Sequence, residues 1–142
     1  MADEEEVRDL NDFLDMMQEA SLIYNQTGDF GRAKAFRGGY WAIKNYLNGL
    51  ETKMQGTQYF VTHDDLTADE DNRQNHIFKL KGIGQSIKQM LLEWAEDGEC
   101  SRLDDLRELE IDGARVKVDL AEPWFFNVPE NELREYAFVD EE

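Results

Sequence analysis

The stretch Leu80-Lys81-Gly82-Ile83-Gly84 constrains the fold of this chain more than any other. A glycine pair around one apolar residue lets the backbone turn sharply, because glycine reaches conformations that a Cβ disfavours. Helical periodicity resumes directly after it. Ile87, Met90, Leu91 and Trp94 share one face of a helix expected over 85–96, with Gly98 as its stop. Upstream, Thr67-Ala68-Asp69-Glu70 has the form of a capping box and predicts a helix ending near Lys79. Two helices joined by such a turn make a helix-hairpin-helix. Ile83 would plug into the core, and successive N–H groups would point outward at the start of the second helix. Donors arranged this way, helped by the helix dipole, bind phosphate oxygens. The glycine spacing alone also fits a plain turn between helices.

The remaining pattern is largely helical. Val7, Leu10, Phe13, Leu14, Met17 and Tyr24 fall on one stripe of a helix predicted over 5–24, broken by Thr27-Gly28-Asp29. Phe36, Tyr40, Ile43 and Leu47 define the buried face of a second helix over 30–47. Gly38-Gly39 lies inside it, where each glycine costs roughly 1 kcal/mol relative to alanine, which suggests close approach of another backbone or a ligand. Residues 49–65 read as an irregular connection with a short strand at Tyr59-Phe60-Val61. Ser101 is placed to cap a last short helix through Arg107, with Leu103 and Leu106 inward. Asp112-Gly113 is a hairpin-turn dipeptide. Val116, Val118 and Leu120 alternate with polar residues as in a strand, and Pro123-Trp124-Phe125-Phe126 follows. The expected fold is mainly α: a compact bundle of about four to five short helices with one helix-hairpin-helix in residues 1–110, then a C-terminal β-hairpin or extended tail in 111–142.

Charge is unevenly distributed over the 142 residues. The net charge is −17, yet residues 31–88 hold 9 basic and 6 acidic side chains, while 1–30 hold 1 and 9 and 89–142 hold 5 and 17. A weakly basic middle thus sits between acidic ends, which by themselves serve solubility. No apolar run reaches the ~20 residues that a membrane span needs. The acidic start, Met1 to Glu6, is unlike a basic targeting leader. The expectation is a soluble intracellular protein, in cytoplasm or nucleus, with a virion also compatible.

Two blocks resemble the N-terminal, lyase-type domain of family X (DNA polymerase beta-like) DNA polymerases. The first is Arg32-Ala33-Lys34-Ala35-Phe36-Arg37 after Gly28-Asp29-Phe30. The second is Leu80 to Gly98 followed by Leu103-Asp104-Asp105-Leu106. Together with the first helix they span about Leu10 to Leu109. The resemblance implies a compact helical bundle that holds DNA ends, with a monovalent cation commonly at the glycine hairpin. It departs from the family pattern in several places. The link between the blocks is roughly twenty residues longer, and no polymerase domain follows. The family's Schiff-base lysine falls at Met90, and its phosphate-binding lysine at Ser86.

These residues leave little for catalysis. A lyase needs a desolvated amine. Lys88 lies about 200° around the helix from Met90, and Lys34, Lys44, Lys79 and Lys81 are more naturally solvated or phosphate-facing. Asp64, Asp65, Asp69, Glu70 and Asp71 lack the EF-hand order. His63, His76 and Cys100 have no zinc spacing. No metal ligand set and no cofactor are expected. Three functions stay open. The first is a non-catalytic module binding DNA backbone or ends through Lys81, Gly82, Ile83, Gly84, Arg32, Lys34 and Arg37. The second is an adaptor, accessory or minor virion protein that kept the fold without the DNA site. The third is an acidic DNA mimic. Trp124, Phe125 and Phe126, three aromatics in a row, are expected to dock a protein partner or a second copy of the chain; the alternative is that the tail folds back and the rings cap the helical core.

Overall fold

The computed structural model describes residues 7–54, 60–67, 77, 80 and 82–129. The chain enters through a two-residue strand, β1 (Arg8–Asp9), which pairs antiparallel with β2 (Phe60–Val61). Helix α1 (Leu10–Gln26) follows at once. Asp9 is its N-cap, and its carboxylate accepts the N–H of Asn11 at 2.9 Å. That capping geometry explains why α1 starts at Leu10 rather than near Glu5: Arg8 and Asp9 are extended and paired. Val7 is consequently 62 % exposed instead of joining the apolar stripe. Gly28, at φ +90°, turns the chain, and Asp29 donates its N–H back to the Tyr24 carbonyl at 2.9 Å.

Helix α2 (Phe30–Met54) runs seven residues beyond the expected end at Leu47. It packs along α1, and the Ser21 hydroxyl donates to the Ala33 carbonyl at 2.7 Å. The predicted connection also contains α3 (His63–Thr67). Thr67 lies within α3, its hydroxyl donating back to the His63 carbonyl at 3.0 Å. The helix expected from Thr67 to Lys79 otherwise lies outside the described residues, as does Lys81. Ile77, within that stretch, and Leu80, just after it, are buried.

Helix α4 (Gln85–Asp97) leaves the glycine hairpin and ends at Gly98, in the left-handed region at φ +78°. Helix α5 (Ser101–Arg107) comes next, with Cys100 rather than Ser101 at its N-cap. The capping acceptor comes from elsewhere: the Glu93 carboxylate takes both the N–H and the hydroxyl of Ser101, each at 3.1 Å. Strands β3 (Glu110–Ile111) and β4 (Ala114–Arg115) form the anticipated tight hairpin, with positive φ at both Asp112 (54°) and Gly113 (84°). The fold is thus mainly helical with small antiparallel pairings. Leu10, Phe13, Met17, Ile23, Ile43, Leu47, Leu91, Trp94 and Leu103 are buried in one core.

The tail departs from the strand reading. After an irregular stretch through Asp119 it forms a short helix, α6 (Pro123–Phe126), with proline in its first turn. Helical geometry sends Phe125 inward, fully buried against Tyr40 at a ring distance of 4.7 Å. Phe126 remains 48 % exposed. The fold-back alternative thus holds for Phe125, and Lys117, Leu120, Trp124 and Phe125 are bonded through their carbonyls to side chains of α1 and α2. Residues 130–142 lie outside the described residues.

Candidate nucleic-acid interface

The hairpin turn has the geometry that its sequence requires. Ile83 donates its N–H to the Leu80 carbonyl at 3.3 Å, and Gly82 holds φ +98° at the third position, where a type II turn needs positive φ. Ile83 is buried, while Gly82 and Gly84 are exposed. Gly84 is the N-cap of α4 and has no side chain to cap it. The first helical bond is Lys88 N–H to the Gly84 carbonyl at 3.0 Å. Gln85, Ser86 and Ile87 therefore open the helix with first-turn N–H groups that have no intrahelical acceptor.

The first turns of α2 lie against this hairpin. Arg32, Ala35, Phe36 and Gly38 face Gly82–Ile87 across a groove of about 520 Å³. Gly39 lies close to it. A Cβ built there would meet Ile87 Cδ1 at 2.7 Å, Met17 Cε at 2.8 Å and the Gly82 carbonyl oxygen at 3.4 Å. Gly39 is thus explained by the tight packing of the Ile87 and Met17 side chains, with the hairpin carbonyl in ordinary contact behind them.

The groove differs in charge from the neighbouring clefts. Among the described residues that line it there is no carboxylate, and Arg32 is the one charged side chain. The neighbouring clefts are acidic. One of about 490 Å³ between α4 and α5 carries Glu93 and Asp105; another of about 660 Å³ along α1 carries Asp9, Asp12, Asp15 and Glu19. Arg32 is oriented by Asp29, whose carboxylate it meets at 2.7 Å. The hydrogen bonds from Arg32 hold the Asp29 carboxyl below its usual range, and the same contact raises the guanidinium's pKa.

The expected site residues separate into groups. Arg32, Gly82, Ile83 and Gly84 come together. Lys34 is exposed but does not line the groove, because it lies about 200° around α2 from Arg32. Arg37 is buried under the tail, donating to the Trp124 carbonyl at 3.0 Å with its guanidinium 4.4 Å from the centre of the Trp124 ring. Position i+5 from Arg32 carried no signal for that partner, which is 87 residues away in sequence.

Ser86 and Met90, at the positions of the two family lysines, both line the cleft between α4 and α5. Its cation is Arg102, which donates to the Tyr24 hydroxyl at 2.9 Å. Among the described residues no lysine lines that cleft. Cys100 lies under it, 2 % exposed, and burial pushes its thiol up to about 12, so at neutral pH it is a protonated core side chain. His63 faces Glu96 at 3.6 Å. Among the described residues no group of three His, Cys, Asp or Glu side chains could hold a metal. Among them, too, no helix is long and apolar enough to cross a membrane. No protein-family model, curated protein or solved structure matches this chain.

Proposed function

We propose that this chain is a non-catalytic module that binds the phosphate backbone of DNA, or of DNA ends, in the groove between α2 and the glycine hairpin. One observation carries the reading. In a chain with 32 acidic residues, none of the described residues that line the groove at the uncapped start of α4 is acidic, and Arg32 is among them. Two exposed glycines and a buried Ile83 let a phosphate approach the backbone there, and the first-turn donors of α4 supply acceptor-seeking N–H groups. A monovalent cation at Gly82–Gly84 belongs to the same proposal. The absence of catalysis rests on Met90 in the cleft and on the protonated Cys100 thiol. Recognition would be independent of sequence, since backbone contacts read no bases.

A charge-reversal pair tests this by fluorescence anisotropy on gapped duplex DNA. Arg32→Glu and Lys34→Glu change the net charge equally, on different faces of α2. Wild-type binding should be saturable and should weaken as salt rises. Arg32→Glu should lower affinity about tenfold or more and flatten the salt dependence by about one ion; Lys34→Glu should do so far less. Equal effects would mean that only bulk charge matters.

The second reading is an interaction protein of the same fold without a DNA site. Phe126, exposed beside Trp41 at a ring distance of 6.1 Å, favours it. Failure of wild type to bind DNA at low salt would select that reading.

A further inference from the structure

The tail is held as a bound peptide is held. Four side chains from α1 and α2 donate to four of its main-chain carbonyls. Gln26 reaches Lys117, Gln18 reaches Leu120 at 2.7 Å, Arg37 reaches Trp124 at 3.0 Å and the Trp41 indole reaches Phe125 at 3.1 Å. Hydrogen bonds to main-chain carbonyls place few demands on the identity of the residues they hold. The deepest side-chain contact is one aromatic. Between Glu110 and Pro129 only Phe125 and Val128 are buried, and Phe125 sits edge-on to Tyr40 with its ring 4.7 Å away. The hairpin that leads into this stretch is exposed throughout. Val116, Val118 and Trp124 pack against the core only partly buried, Trp124 under the Arg37 guanidinium; a segment held mostly by such partly buried contacts and carbonyl bonds opens at lower free energy than the core it covers.

We infer that the face shared by α1 and α2 is a peptide-docking groove, occupied in cis by residues 116–129. Its tail can be displaced by a segment of another protein with the same chemistry: an extended stretch ending in a helical turn that delivers one aromatic anchor. The anchor fills the Tyr40 site, and the four donors hold the incoming carbonyls. The tethered tail competes at high effective concentration, so a partner gains access chiefly when the anchor is weakened. This inference is independent of DNA binding, because it uses the opposite side of Arg37's helix from the groove at Arg32.

The test uses the full chain carrying Phe125→Ala and a fluorescein-labelled peptide of residues 114–129. The variant should remain helical by circular dichroism and bind the peptide saturably, at least ten times more tightly than wild type does. The same peptide with Phe125→Ala should not bind. A second arm inserts a protease site between Asp112 and Gly113 and cuts the folded chain. The tail fragment should dissociate on dilution from a core that stays helical, and the labelled peptide should rebind. Unfolding of either core when the anchor is lost would overturn the inference, because a displaceable tail must leave a folded domain behind. So would a folded core that takes up no peptide. A wild-type dimer with exchanged tails, seen by sedimentation, would assign the groove to self-assembly and overturn the separate-partner assignment.

Discussion

Trp94→Ala is expected to lower unfolding stability by about 3–5 kcal/mol, the cost of deleting a large aromatic from a packed core. Trp94 is 2 % exposed and lies with its ring 5.3 Å from that of Phe13 on α1. It is the largest fully buried side chain on α4, the helix that the hairpin opens into. Its loss removes apolar contact that fixes α4 against α1, so the hairpin loosens together with the core. Urea unfolding followed by circular dichroism measures the change as a shift in midpoint at constant slope. A loss under 1 kcal/mol would mean that α4 is not seated in this way.

The second large effect is expected at Gly39, and its sign depends on side-chain size. In Gly39→Ala the new methyl meets Ile87 Cδ1 and Met17 Cε, both free ends of flexible side chains that can shift. Alanine also recovers roughly 1 kcal/mol of helix propensity. These terms oppose each other, and the variant should lie close to wild type in thermal melting. Gly39→Leu has no such escape, because the rest of the side chain is forced toward the Gly82 carbonyl that already stands 3.4 Å from the first carbon. Overpacking of this kind costs about 1–3 kcal/mol. It should also push the hairpin off α2, so DNA affinity should fall together with the melting temperature. A leucine variant that melts and binds like the alanine variant would contradict the close approach of hairpin and helix.

The hairpin was the legible part of this sequence because its physics is local. Gly82, Ile83 and Gly84 fix a turn within three residues, and periodicity then identifies α4 and its buried face. Gly38-Gly39 pointed to a close approach for the same reason, although the sequence could not say that the tight neighbours of Gly39 are the Ile87 and Met17 side chains. Features that depend on distant partners were not legible. Arg37 lies in the same basic run as Arg32, yet it belongs to Trp124 at the far end of the chain. Glu93 caps α5 from one helix earlier, a role that nothing in the spacing from Glu93 to Ser101 announces. The start of α1 moved because Arg8 pairs with Val61. In the tail, alternation through Val116, Val118 and Leu120 suggested a strand. Pro123 instead opens a helical turn that Phe125 anchors on Tyr40. Local patterns thus located the groove, but the assignment of its basic residues depended on packing.

The proposal that the hairpin grips a DNA backbone is tested most directly by backbone amide shifts. Uniformly ¹⁵N-labelled protein would be titrated with a short 5′-phosphorylated gapped duplex at low salt. The amides of Gly82, Gly84, Gln85 and Ser86 should move first and furthest, together with the side-chain signal of Arg32, and the shifts should reverse as salt is added. Amides that stay in place while the DNA is in excess, or shifts confined to Trp124–Phe126 and the acidic face of α1, would contradict it.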